Sequence, residues 1–203
     1  HIIGVSPVIA KTHDVDYFKE KYQIKGKIVL FVGRQVKSKG YTEILDAAPL
    51  VWERHPDVSF VFVGPYEESE HTTAHDSDPR ISRLGPVSDA DKTSALAAGD
   101  IFCLPSISEI MPTAILEAWH FGKPVIGGDI PTLRELIGDG EGGLIVKQDA
   151  RQIADALLKL LDDPVYARQL GENGYQKVQK NYTTERVATR LEQLYDSLHR
   201  EGG

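Results

Sequence analysis

Lys27-Ile28-Val29-Leu30-Phe31-Val32-Gly33 runs straight into Arg34-Gln35-Val36-Lys37-Ser38-Lys39-Gly40, and the fold is read outward from this passage. The first part is an unbroken apolar run rather than an alternating one, the pattern of a strand covered on both faces. The second part is short and basic, and beyond Gly40 the residues Ile44, Leu45, Ala48 and Val51 recur at helical spacing. A buried strand passing through a polar loop into an amphipathic helix is the first half of a βαβ unit. The spacing predicts a helix over about 40–54, stopped at His55-Pro56-Asp57 because the residue before proline is pushed out of helical dihedrals.

The same alternation continues down the chain. Val58-Ser59-Phe60-Val61-Phe62-Val63-Gly64 reads as a second strand, and residues 65–80, rich in acids with two His and two Pro, read as an exposed loop. Strands are predicted at 81–84, 101–104, 124–127 and 143–146. Helices are predicted at 90–98 with Ser88 or Asp89 as N-cap, at 112–121 and at 132–137. After 146 the chain is helical throughout: 150–161, 164–180 and 184 to about 199. The fold class is therefore α/β, a Rossmann-like doubly wound parallel sheet of about six strands with C-terminal helices, which binds ligands at the carboxyl ends of its strands. The chain opens at His1, and 1–6 reads as a strand entering a loop. The expected organisation is an interdomain connection and first structural segment at 1–26, a nucleotide-binding domain at 27–181 and a C-terminal helix at 182–203. A piece of a larger protein is expected.

Composition narrows the function. A length of 203 residues suits one domain with a single core. A net charge of −7 speaks against a nucleic-acid partner, which calls for a basic face. One cysteine excludes an internal disulfide and fits a reducing, cytoplasmic setting. No apolar run reaches the roughly 18 residues that would span a bilayer.

Two stretches carry chemistry, both at carboxyl ends of predicted strands. In the first, Gly33 allows a tight exit from the strand, and Arg34 and Lys39 bracket a loop beside a helix N-terminus, which suits a diphosphate. The spacing matches neither a Walker A loop nor G-x-G-x-x-G, so a solvated basic loop without ligand stays open. The second is Ser106-Ile107-Ser108-Glu109-Ile110-Met111-Pro112-Thr113-Ala114-Ile115-Leu116-Glu117-Ala118-Trp119. Pro112 suits the first helical turn, leaving the amides of Thr113 and Ala114 as anion donors. Glu117 lies one turn on, about 6 Å along the axis, where a carboxylate can accept from ribose hydroxyls. Its alternative is a solvent-facing helix residue, although an idle carboxylate among Ala114, Ile115, Ala118 and Trp119 would be costly. Glu109 precedes the helix, where it can meet a sugar.

This second stretch resembles the Glu-x7-Glu motif of glycosyltransferase family four (group 1), whose members have the GT-B fold. Gly122-Lys123-Pro124-Val125-Ile126, Ile130-Pro131-Thr132-Leu133-Arg134-Glu135, Leu84-Gly85-Pro86-Val87 and Ala98-Gly99-Asp100 resemble the family too. The resemblance implies the nucleotide-sugar-binding C-terminal half of a retaining glycosyltransferase, with a hexosyl donor expected. Arg34 and Lys39 would hold the donor diphosphate with Gly33, Met111, Pro112, Thr113 and Ala114 around it. Glu117 would take the ribose, and Glu109, the catalytic candidate, the donor sugar near its reacting end. Val87 to Lys92 would lie by the base, with Lys92 stacking on it. Many relatives carry Gly-Phe-Gly or Gly-Phe-Pro after the first glutamate; Ile110 in place of that glycine is expected to restrict the backbone and narrow the site.

The implied partners are a nucleotide-sugar donor and an acceptor saccharide, lipid or small molecule bound by an N-terminal domain. No metal and no cofactor are expected, and membrane contact, peripheral at the inner face, would come through that other half. This half alone is expected to bind nucleotide weakly and turn over little. Two alternatives remain: a same-fold nucleotide-sugar epimerase or hydrolase, and a non-catalytic nucleotide-binding module, for which Glu109 would be unnecessary. Elsewhere plainer readings hold. His71 and His75 are four apart but sit in an acidic loop with no helical pattern, so no metal site is expected there. Cys103, Trp52 and Trp119 read as core, and the terminal helices as an interdomain brace.

Overall fold

β1 (Ile28–Val32) and β2 (Ser59–Val63) are buried at every position, as their uninterrupted apolar runs require of central strands. The computed structural model describes residues 6–66 and 78–201; the opening residues 1–5, most of the expected 65–80 loop and the His71/His75 pair lie outside them. β3 (Ile81–Leu84), β4 (Ile101–Leu104), β5 (Val125–Gly128) and β6 (Gly143–Val146) complete one sheet, ordered β3-β2-β1-β4-β5-β6, with every pairing parallel. Six parallel strands in this order form the doubly wound sheet expected from the sequence.

Parallel neighbours need crossovers, and right-handed ones put successive helices on opposite faces on either side of β1. α2 (Tyr41–Trp52) packs with α6 (Ala150–Asp162), while α3 (Asp89–Ala98) packs with α4 (Thr113–His120), and α4 with α7 (Pro164–Asn181). α5 (Pro131–Ile137) covers β5 and β6, and α8 (Thr184–Glu201) touches α7. Ser88 is the N-cap of α3, its side chain accepting from the Asp91 amide.

Three local details differ from the sequence reading. A helix not predicted from the sequence, α1 (Val15–Lys21), lies within 1–26, the stretch expected as interdomain connection and first structural segment: Asp14 caps it, Phe18 is its buried residue, and it packs on α3. α2 starts at Tyr41, after a 3-10 turn over Lys37–Lys39. Between them Gly40 takes φ 77°, ψ 21°, and a Cβ there would lie 2.6 Å from Pro105 Cγ. Only glycine fits both demands. Pro112, finally, precedes α4 rather than opening it; its ψ of 70° is not helical, so Thr113 is the first helical residue.

α4 is fastened at its far end. Trp119 is fully buried and its Nε1 donates to Gly142 O at 2.9 Å. A Cβ on Gly174 of α7 would fall 2.1 Å from Trp119 Cδ1, and one on Gly171 would fall 1.9 Å from Gly122 O. Each helical glycine costs about 1 kcal/mol against alanine. Here that cost is outweighed, because a side chain would force α7 away from the indole at Gly174 and away from the Gly122 carbonyl at Gly171.

Candidate functional site

The crossovers leave β1 and β4 in opposite directions, and this switch point opens a crevice at their carboxyl ends. The two stretches singled out in the sequence leave from those two strands. They are tied to each other by Ile107 N donating to Ser38 O at 3.0 Å and by the wholly buried Ser106. Ser106 Oγ lies 3.1 Å from both Ser38 O and Ser108 O and accepts from Ser108 N at 3.2 Å. Its single proton serves the two carbonyls alternately. Gln148 Nε2 adds a bond to Lys37 O at 2.9 Å. The two loops therefore form one rigid rim.

Within the rim lies a cavity of about 240 Å³, and Gly33, Arg34, Lys39, Glu109, Met111, Pro112, Thr113 and Ala114 all line it. A second cavity of about 290 Å³ shares Val32, Gly33 and Arg34 with the first and takes in Val87 and Lys92. Residues drawn from three parts of the sequence thus meet around Arg34.

The charges are arranged in pairs. Lys39 Nζ sits 2.7 Å from Glu109 Oε1, with the side chains 20% and 7% exposed. Lys92 Nζ sits 3.0 Å from Glu117 Oε1, with the side chains 23% and 6% exposed. A carboxylate withdrawn this far from water has to be paired, and each glutamate holds one lysine. Of the two cations expected to hold the diphosphate, both line the first cavity, and Lys39 is paired with Glu109 there. Arg34 is exposed and carries no ion pair among the described residues. Lys92 reaches the second cavity with its ammonium on Glu117. Glu117 itself lines neither cavity.

The start of α4 also departs from expectation. The Thr113 amide donates to Met111 O at 2.9 Å and the Ile115 amide to Pro112 O at 3.0 Å. That leaves Ala114 as the helix amide facing the first cavity without a backbone acceptor among the described residues. Ile110 does not narrow the site: its side chain is 93% exposed and outside the cavity, and its φ is not positive. Met111 forms the wall instead.

Sequence reasoning missed two contributors. Gln35, wholly buried, spans the carboxyl ends of β1, β2 and β3. A lone glutamine after a strand reads as a solvated loop residue, so no periodic signal could have marked it. At Gly64 an added Cβ would lie 2.2 Å from Gly33 O, so the two loop starts touch backbone to backbone. Cys103 lies in the core, where burial pushes its thiol far above the usual range, away from any nucleophilic role. Among the described residues no group of three or more His, Cys, Asp or Glu could hold a metal ion, and no helix is long and apolar enough to cross a membrane.

Known proteins share this construction. Residues 14–177 match the family of glycosyl transferases group 1. The phosphatidyl-myo-inositol mannosyltransferase of Mycobacterium leprae is 34% identical over 185 residues, 89% of this chain and 49% of that protein. This chain spans about half the length of the curated relatives it matches. Sucrose-phosphate synthase from Thermosynechococcus elongatus superimposes with a TM-score of 0.79 at 25% identity, over 99% of this chain and 53% of that one. The C-terminal domain of a group 1 glycosyl transferase from Francisella tularensis gives 0.72 at 25% identity, over 88% of this chain and 96% of that one. The sheet order and the crevice at its switch point are those of a Rossmann-like domain, and these likenesses make it one half of a GT-B glycosyltransferase fold. Within that class, the chain belongs to glycosyl transferases group 1.

Proposed function

We propose that this chain is the donor-binding, C-terminal domain of a retaining glycosyltransferase, which moves a hexosyl group from a nucleoside diphosphate to an acceptor held by a second domain. The observation that carries the reading is the pair Glu109 and Glu117, each withdrawn from water, each holding a lysine, on either side of the start of α4. The diphosphate lies between Arg34 and the N-terminus of α4, where a cation and helix amides oppose the charge left on the leaving group. The base occupies the second cavity beside Val87, and the ribose meets the Glu117–Lys92 pair. The sugar sits against Glu109, and the acceptor attacks from the face the diphosphate leaves. The donor needs no divalent ion, and the enzyme works in the cytoplasm, with any membrane contact made by the second domain. That the Mycobacterium leprae relative is a mannosyltransferase supports hexosyl transfer as the reaction class.

Calorimetric titration of uridine, guanosine and adenosine diphosphates, first with excess chelator and then with magnesium, tests this. One of them binds, with an affinity that changes by less than about 0.5 kcal/mol on adding magnesium once chelation by the free nucleotide is subtracted. Glu117→Gln weakens that binding; Glu109→Gln leaves it nearly intact and lowers turnover in the full-length enzyme. Absence of binding by every nucleoside diphosphate overturns the reading, and a tenfold dependence on magnesium overturns its metal-independent part.

A further inference from the structure

Both polar atoms of the Gln35 side chain are engaged. Its Oε1 accepts from Arg83 Nε at 2.9 Å, and its Nε2 donates to Gly64 O at 2.9 Å, with Leu84 O at 3.4 Å. Its backbone amide donates to Pro65 O at 2.9 Å. The orientation of the side-chain amide is forced. Arginine only donates, so the oxygen must face Arg83 and the NH₂ must face the two carbonyls. The opposite orientation would set N–H against N–H and carbonyl against carbonyl at three contacts. Arg83 is in turn laid over aromatic rings, its guanidinium carbon 5.3 Å from the centre of Tyr41 and 5.4 Å from that of Tyr66.

The chain continuing from the bonded strand ends supplies the second cavity with its walls: Gly33 and Arg34 after β1, Gly64 and Pro65 after β2, Pro86 and Val87 after β3. Apart from Arg34 and Lys92, those walls are apolar side chains and backbone. Gln35 itself lines neither cavity.

We infer that Gln35 and Arg83 set the base specificity of this site as positioning residues, by fixing the spacing and orientation of the backbone at 64–65 and 86–87, whose carbonyls, together with the Val87 amide, read the edge of the nucleobase. This rests on the donor-binding reading proposed above. The base is selected by backbone groups at fixed separation, and the Gln35–Arg83 unit, behind the wall, holds that separation. Removing it widens the choice of base without touching the diphosphate.

The test is calorimetry on the 203-residue chain with uridine, guanosine and adenosine diphosphates and with inorganic pyrophosphate. Gln35→Leu keeps the volume and removes the bonds. It lowers the preference of the tightest base over the next by about tenfold, equal to about 1.4 kcal/mol, and changes pyrophosphate binding by less than about twofold. If that variant does not fold, Arg83→Lys serves the same comparison, because lysine keeps the charge but lacks the planar fork. An equal fall for all four ligands means a merely structural role and overturns the inference, as does an unchanged preference. A wild-type chain that binds no nucleoside diphosphate overturns the donor-binding reading itself, a result distinct from both.

Discussion

The sheet opens cavities at both of its ends, and the one at the amino ends, about 300 Å³, is no smaller than the 240 and 290 Å³ spaces at the carboxyl ends. The amino-end space is bounded by Lys27, Asp100 and Arg168, all exposed, by the half-buried Lys123, and by Leu160, Pro164 and Ala167 where α6 turns into α7. At the carboxyl ends, the exposed Arg34 apart, four polar side chains are withdrawn from water and individually matched: Gln35 to Arg83, Ser106 to Ser38, Glu109 to Lys39, Glu117 to Lys92. Volume does not distinguish a site from a gap between helices. Buried polar groups do, because each would cost free energy unless partnered and so marks where the fold gives up stability for geometry.

That contrast can be broken most directly at Lys92. Lys92→Met leaves Glu117 charged and unpaired inside the protein, and urea unfolding is expected to show a loss of about 3–5 kcal/mol. Adding Glu117→Gln recovers much of it. A loss below about 1 kcal/mol, the worth of a surface pair, would mean that the carboxyl end is not built as described.

A smaller effect separates the two ends by ligand. Arg34→Ala is expected to weaken nucleoside diphosphate binding by about 1.5–3 kcal/mol, the range for hydrogen bonds to charged groups, without moving the unfolding midpoint. Arg168→Ala at the opposite end is expected to leave that binding unchanged. Equal losses in the two variants would show that the ligand responds to overall charge rather than to the switch point.

The smallest effect concerns Lys123. Burial holds its pKa below the ordinary 10.5, partly opposed by Asp100. The folded state therefore binds this proton less readily than the unfolded state, and the charged ammonium disfavours folding at neutral pH. As pH rises through the lowered pKa towards 10.5, the penalty is relieved and stability from this group increases. Lys123→Met is thus expected to raise the melting temperature at pH 7, with a gain that shrinks as pH rises. A fall at pH 7 would show that the ammonium contributes favourably there, and the amino end would then merit comparison with a binding site.

Much of this was legible along the chain. Strands covered on both faces require continuous apolar runs, so β1, β2 and β4 could be placed from composition alone. The loops at 33–40 and 105–112 stood out because charges, Gly40 and Pro112 follow such runs directly. α1 was not legible, since Phe18 is its only buried residue and gives no period. Nor were the ion pairs: Lys39 and Glu109 are 70 residues apart, Lys92 and Glu117 are 25 apart, and side-chain spacing within one element says nothing about partners across the crevice. Proximity in the sheet decides them.

The clasp between Trp119 and Gly174 of α7 also gives the protein a lever. α4 has 8 residues, a rod of about 12 Å. Its indole end is pinned while its other end carries Thr113 and Ala114 into the cavity. A tilt of about 5° at the pinned end would move the free end by about 1 Å, a displacement able to cost on the order of a hundredfold in rate. Substitutions at Gly174, which lies behind the pivot, would then be felt as faulty aim at the cavity even in a protein that still folds.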